Sequence, residues 1–242
     1  MKDSMGDRMK DYERIGKTQS NLFPFLPGII RLDGKSFHNF TKGLERPFDK
    51  RLHNLMCDLT KFLMKECGAK VGYTQSDEIS LMLFQKDHRE QLHFGGKIQK
   101  LNSVLAASAS VFFNKKLIYF LPEKADQSPV FDCRCFNVPN KIEVYNYFLW
   151  REKDATRNSI QMLGQHYFSH RQLQKKSCNQ IQDMLHEEYD INWNDCPSEQ
   201  KRGSYFYKKD GEEISLFNLN RLSSYENKEK VFFSNIKGEK NE

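Results

Sequence analysis

Two stretches decide the fold: residues 28–34, GIIRLDG, and residues 71–84, VGYTQSDEISLMLF. In the first, Ile30 and Leu32 fall on one side of an extended chain and Arg31 and Asp33 on the other, and Gly34 ends the run. The second reads as two strands, 71–75 and 79–84, joined by Ser76-Asp77-Glu78, so an acidic pair sits at the turn of a hairpin. Between the stretches, Leu52, Leu55, Met56, Leu59, Phe62 and Leu63 recur at helical spacing until Gly68 stops them, which predicts a helix over 50–67. The same spacing predicts a second helix over 95–116, and 130–138 reads as a further strand.

The order strand, helix, strand, strand, helix, strand is that of a split βαβ unit. The expected class is therefore α/β (α+β): a ferredoxin-like antiparallel sheet with two helices on one face and the other face open. Open sheets of this kind serve RNA-binding modules and the palm domains of nucleotide polymerases alike, and fold alone does not choose between them. Beyond residue 140 the pattern is mostly helical to about residue 174, starting with the aromatic run Tyr145, Tyr147, Phe148 and Trp150. A helix over 178–189, a hairpin within 203–216 and a polar tail from Ser223 follow. The reading is a catalytic unit over 1–140 and a helical and hairpin extension over 141–242, together one compact body.

Composition narrows the class. Nineteen Phe and ten Tyr in 242 residues supply core material that a disordered chain lacks. The charged start MKDSMGDRMKDYER has no apolar stretch of a signal peptide, and serines interrupt the apolar run near 104–113, so no membrane partner and a cytoplasmic location are expected. Six cysteines without a CxxC spacing read as reduced thiols. His166 and His170 have the i, i+4 spacing of a zinc protease, but Tyr167 stands where its glutamate would be. An excess of 38 basic over 32 acidic residues permits a polyanionic partner without requiring one.

The chemistry centres on Asp33 and Asp77, which this fold brings together. Magnesium takes carboxylate oxygens, keeps several waters and accepts phosphate oxygens, so two aspartates and the unobstructed carbonyl of Gly34 suffice to hold it; a solvated turn is the competing reading. Around them stand RLDGKSFHNF, then RPFD at 46–49, GYTQSDEISL at 72–81, Lys97, FDCR at 131–134 and a WRxxD pattern at 150–154. In this order across residues 28–160 they resemble the tRNA-histidine guanylyltransferase family. The last third of the chain resembles it only loosely.

The resemblance implies a palm-like 3′–5′ RNA polymerase, a nucleotidyltransferase that extends the 5′ end of tRNA and uses ATP and GTP as substrates. It implies two Mg2+ per active site, with Asp33, the Gly34 carbonyl and Asp77 as ligands and Glu78 supporting them. It assigns nucleotide contacts to Arg31, Lys35, Ser36, Phe37, His38, Arg46, Asp49, Ser76, Lys97, Arg134 and Asn158, and it implies a homo-tetramer. Two cations about 3.5–4 Å apart stabilise the attacking and leaving oxygens of an in-line displacement, so no nucleophilic side chain is needed.

Where the eukaryotic enzymes of the family carry His-Ile-Asn-Asn, this chain has Thr156-Arg157-Asn158-Ser159. That departure resembles the guanylyltransferase-like branch, which repairs 5′-truncated tRNA by templated addition. The alternatives are untemplated guanosine addition to tRNA-histidine and a catalytically silent RNA-binding module. For RNA itself, Lys175, Lys176, Lys201, Arg202, Lys208 and Lys209 form the best dispersed basic set, and Arg157 is a phosphate contact or a solvated helix charge.

Overall fold

The computed structural model describes residues 4–16, 20–85, 89–208, 214–217 and 222. Along the chain the elements are α1 (Ser4–Gly16), β1 (Gly28–Gly34), the single turn α2 (Phe37–Phe40), α3 (Lys50–Cys67), β2 (Val71–Gln75), β3 (Glu78–Leu83) and α4 (Ile98–Phe120). Then come β4 (Phe131–Asn137), α5 (Lys141–Tyr167), the short α6 (His170–Leu173), α7 (Cys178–Tyr189), α8 (Ser198–Arg202), β5 (Ser204–Tyr207) and β6 (Ser215–Phe217). The expected helices and strands all form. α3 starts where the Asp49 carboxylate accepts from the Arg51 N–H and stops where Gly68 takes a left-handed conformation (φ 72°). The second expected helix is displaced to 98–120, because Phe94, Gly95 and Gly96 are left-handed and cannot start an α-helix.

Among the described residues the sheet has the order β4-β1-β3-β2-β5-β6, and its pairs are antiparallel. The first four strands follow the ferredoxin-like order. The hairpin expected within 203–216 adds β5 and β6 beside β2. On one face, Ile30, Leu32, Ile79, Leu81, Leu83 and Cys135 meet Leu55, Leu59 and Leu63 of α3 and Leu101, Leu105, Ala109 and Phe113 of α4. Contact is close enough that a Cβ on Gly72 would lie 2.5 Å from the Met64 sulfur.

The other face is not open, which corrects the expectation. Ile29, Val71, Tyr73, Met82, Phe136 and Tyr205 are covered there by Met9 of α1 and by Val144, Tyr147 and Phe148 of α5. The aromatic run at 145–150 is therefore core, and the opening helix of the extension shares a core with the sheet. The charged leader hid α1 because ion pairs fasten it: Arg8 donates to Glu143 at 2.7 Å, and Arg31 donates to Glu13 at 2.9 Å. The second half of α5 packs with α7 and Trp193 in a separate small cluster. At the other end of this face Asp33, Glu78, Asp132, Arg31 and Arg134 line up across neighbouring strands. This face is thus apolar at one end and charged at the other.

Candidate active site

The charged end is built by two chain reversals. β1 ends at Asp33-Gly34, and the β2–β3 hairpin turns at Ser76-Asp77, with Ser76 left-handed (φ 51°). The Gly34 N–H donates to the Asp77 carbonyl at 3.2 Å, fastening the strand end to the turn. Gly34 is required by packing, since a Cβ there would fall 2.2 Å from the ring of Phe37. Phe37 is in turn anchored among Phe40, Phe113 and Phe131, with ring centroids 5.0–5.6 Å away.

Burial raises the Asp77 carboxyl to about 6, and the neighbouring Asp33 carboxylate adds to the effect. Burial raises Asp33 as well; Arg31 opposes it, Asp132 reinforces it, and Arg134 and Arg151 oppose it. Neither aspartate makes an ion pair among the described residues. A half-buried carboxylate pair that repels itself and makes no direct ion pair among the described residues is a site suited to a hard cation, and oxygen donors are what magnesium takes. Asp33, Asp77 and the Gly34 carbonyl supply that donor set.

Glu78 has a different task. It is 4% exposed and receives two hydrogen bonds from Arg151 of α5, at 2.6 and 2.7 Å, and a third from Arg31 at 3.0 Å. Arg151 also reaches Asp154 at 3.0 Å, and Asp154 holds Arg157. Signs therefore alternate along Glu13, Arg31, Glu78, Arg151, Asp154 and Arg157, a chain that locks α1 and α5 to the strands carrying the aspartates. Both Glu78 oxygens are engaged in this lock, so any support it gives the proposed metal site comes through the position of the strand that carries it. Arg31 is likewise held between Glu13 and Glu78 rather than free for a triphosphate. Sequence reasoning missed the partners Glu13 and Arg151; the WRxxD spacing was the available signal.

Beside the aspartates lies a cavity of about 620 Å³. It is lined by the loop from Ser36 to Asp49, with His38 and Arg46, and by α5 and α8, with Asn158, Gln161, Gln165, His166 and Gln200. Gly34, Ser76 and Asp77 form its end. Asp49 shapes the loop: besides capping α3, it accepts from the Glu45 N–H at 3.2 Å and from the Arg51 guanidinium at 2.8 Å. Burial works against its charge, but these bonds outweigh it and hold its carboxyl below the usual range. The turn after α4 holds the loop at its middle and at the helix that follows it. The Lys124 ammonium, 8% exposed, donates to the Lys42 carbonyl at 2.6 Å, and Glu123 accepts at 2.8 Å from the same Arg51 nitrogen that donates to Asp49.

The family model for Thg1, tRNAHis guanylyltransferase, matches residues 6–139. A protein of unassigned function from Acanthamoeba polyphaga mimivirus is 32% identical over 227 residues, covering 85% of this chain and 77% of that one. The chain belongs to the Thg1 family. The tRNA(His) guanylyltransferase of Saccharomyces cerevisiae is 27% identical over 215 residues, 82% of this chain and 89% of its own. Among solved structures, a bacterial Thg1-like protein in complex with ATP superposes with a TM-score of 0.76 at 39% identity, covering 88% and 91% of the two chains. The S. cerevisiae enzyme superposes with a TM-score of 0.70 at 26% identity, covering 86% and 96%. Members of this family are nucleotidyltransferases that add guanylate to tRNA.

The fold sorts the remaining expected residues of this Thg1-family chain. Lys35, Ser36 and His38 lie on the exposed start of the loop, while the Phe37 side chain is core and contributes only as an anchor. Arg134 sits on β4 opposite Arg31, paired with Asp132 at 3.2 Å. Lys97 is not brought to the carboxylates within the chain. It begins α4 beside Asn21, whereas Ser110, 13 residues on, bonds Phe131 next to Gly34. At 1.5 Å per residue the separation is about 20 Å. Lys201 is 9% exposed, donates to the Asn194 carbonyl and lies 5.5 Å from the Trp193 ring, so it is a structural cation rather than an RNA contact. Arg202 packs 5.6 Å from the same ring. Lys175 and Lys176 are exposed, Lys208 is half-buried, and Lys209 lies outside the described residues. Arg157 is exposed but salt-bridged to Asp154.

Proposed function

We propose that this chain is a 3′–5′ RNA polymerase that repairs 5′-truncated tRNA by templated addition, with Mg2+, ATP and GTP as its cofactor and substrates. The observation that carries the reading is a nucleotide-sized cavity lined by Gly34 and Asp77, with Asp33 next to them in the chain fold, and by amide side chains of α5. Asp33, Asp77 and the Gly34 carbonyl would hold the magnesium, which when bound supplies charge stabilisation at the attacking and leaving oxygens. The loop around Ser36, His38 and Arg46 receives a triphosphate. In the first step a 5′-monophosphate oxygen attacks the α-phosphorus of ATP or GTP and pyrophosphate leaves. In the second, the 3′-hydroxyl oxygen of an incoming nucleoside triphosphate attacks the activated 5′-phosphorus, its proton passes to water, and the nucleoside monophosphate leaves.

Templated choice is favoured over guanosine selection by the α5 wall. Among the described residues Gln161 and Gln165 make no side-chain hydrogen bond, and the Asn158 side chain has only a 3.4 Å contact to Asp154. An amide that is free to turn offers a donor or an acceptor at will and therefore accommodates any base. The Thr156-Arg157-Asn158-Ser159 segment, which lacks the histidine of the eukaryotic enzymes, agrees with this. We place the protein in the cytoplasm as a homo-tetramer; among the described residues no helix is long and apolar enough to cross a membrane.

The test varies the acceptor-strand base opposite the missing 5′ nucleotide and measures incorporation of all four nucleotides. Incorporation should follow pairing. Guanosine added regardless of that base, with full-length tRNA-histidine as the better substrate, means guanylyltransferase activity instead. In the same assay Asp33→Asn and Asp77→Asn should lose both steps while magnesium ceases to raise the melting temperature; turnover near the wild-type level in either folded variant would reject the metal site.

A further inference from the structure

One ring lining the cavity belongs neither to the carboxylate pair nor to the triphosphate loop. His53 of α3 is 8% exposed and lines the cavity together with Phe48, Asp49 and Leu52. Its hydrogen bonds run through one nitrogen: Nε2 lies 3.1 Å from the Ser204 hydroxyl of β5 and 3.3 Å from the thiol of Cys57, one turn along α3. Ser204 is placed tightly. Gly203 before it has φ 77°, and a Cβ there would fall 2.4 Å from the Thr74 carbonyl, so glycine alone lets α8 end against β2. The hydrogens of this group fix the tautomer. Burial lowers the His53 pKa, with Glu199 opposing and Lys50 reinforcing, so the neutral ring carries one proton. Burial pushes the Cys57 thiol up to about 11, so it keeps its hydrogen as well. A hydroxyl and a thiol both bring hydrogens towards Nε2, and sulfur is a poor acceptor, so Nε2 accepts and the ring proton sits on Nδ1. Among the described residues Nδ1 has no protein partner and is not one of the buried atoms left unpaired, so its N–H opens on the cavity.

We propose that the His53 Nδ1–H donates to N7 of the purine of the activating ATP or GTP, which makes His53 a residue that favours purine over pyrimidine nucleotides. The proposal rests on the reading of the cavity as the nucleotide site. Ser204 faces Thr74 across β5 and β2, and Thr74 stands three residues before Asp77, which puts the His53–Ser204 pair about 10 Å from that carboxylate. That is the reach of a nucleotide from its phosphates to its base. At the 6-position adenine presents a donor and guanine an acceptor, so a fixed donor there would divide them, whereas N7 is an acceptor in both. N3 is an acceptor in both as well, but the sugar crowds it. A contact at N7 also leaves the pairing edge of the base unread. Phe48, its ring centroid 5.3 Å from that of His53, lines the same place and offers the base an apolar face.

Equilibrium titration of the full chain measures the Kd of ATP and of 7-deaza-ATP, in which a C–H replaces N7, for wild type, His53→Leu and His53→Gln. The glutamine amide still meets Ser204 but places no donor where Nδ1 stands, so it separates the donor from the link to β5. Wild type should bind 7-deaza-ATP about 3–10-fold more weakly than ATP, the contribution of one neutral hydrogen bond, and GTP and 7-deaza-GTP should differ alike. Both variants should bind ATP about as weakly as wild type binds 7-deaza-ATP, and for them the two ligands should be equal. A purely structural role for His53 would weaken both ligands together and leave their ratio at the wild-type value, which overturns the proposal. Equal affinities in wild type overturn it without any variant. A wild type that discriminates at N7 but releases no pyrophosphate from ATP and 5′-truncated tRNA would uphold the contact and overturn the activation step of the proposed function.

Discussion

Replacing Arg151 by methionine separates the two tasks open to Glu78. Both residues are 4% exposed, and Arg151 gives Glu78 its two shortest hydrogen bonds. In the variant Glu78 keeps only Arg31 at 3.0 Å, leaving a buried carboxylate with an incomplete shell. Breaking such a pair from one side costs about 3–5 kcal/mol, and for a chain of this size each kcal/mol lowers the melting temperature by about 2–4 °C. Arg151→Met should therefore melt roughly 6–20 °C below wild type. Glu78→Gln should also be destabilised, because it leaves Arg31 and Arg151 facing each other without a shared anion. The double variant should be less destabilised than the sum of the singles by about 1–3 kcal/mol. Thermal and urea denaturation give the stabilities, and a magnesium titration of activity accompanies them. Additive effects would refute the lock, as would a Glu78→Gln variant of wild-type stability that needs far more magnesium for half-maximal activity. In that case Glu78 is a metal ligand.

Three further outcomes follow from the geometry. His53 is buried at the cavity edge, 3.1 Å from the Ser204 hydroxyl, and burial lowers its pKa. Between the lowered folded value and about 6.5 the unfolded chain binds more protons, so this contribution is complete above 6.5 and lost as pH falls; the stability advantage of wild type over His53→Asn should shrink from pH 8 to pH 5 in urea titrations. Gly34→Ala should cost about 1–3 kcal/mol by overpacking against Phe37 and reduce turnover, since the same residue joins Asp33 to Asp77; wild-type melting and activity would contradict the packing argument. Lys124→Met should raise the KM for nucleotide several-fold while keeping kcat at saturation, because it frees the loop at Lys42; a fall in kcat at unchanged KM would show that the clamp does not act through binding.

Much of this molecule was legible from local pattern. Helix 50–67 declared itself through apolar spacing between Asp49 and Gly68, and the register of β1 against β3 followed from alternation that sets Ile30 and Leu32 against Leu81 and Ile79. Because the strand order is constrained once two helices cover one face, the meeting of Asp33 with Asp77 was implicit in the sequence. The covered second face was not. α1 is charged almost throughout and buries Met9 against partners more than a hundred residues away, and its anchors are ion pairs that no periodicity records.

The same division runs through the site. The sequence pointed to Asp33, Gly34 and Asp77 as the proposed magnesium ligands, because carboxylates at strand ends beside a glycine carbonyl are oxygen donors of the kind a hard cation takes. Tertiary structure alone decided how the charges are spent. Arg31 and Glu78 close a buried network with Arg151, Lys201 is turned inward over Trp193, and Lys97 stands about 20 Å from the aspartates because α4 runs the length of the sheet. A charge announces its sign in the sequence. Its partner, and therefore whether it is left to meet a ligand, depends on long-range packing that local pattern does not encode.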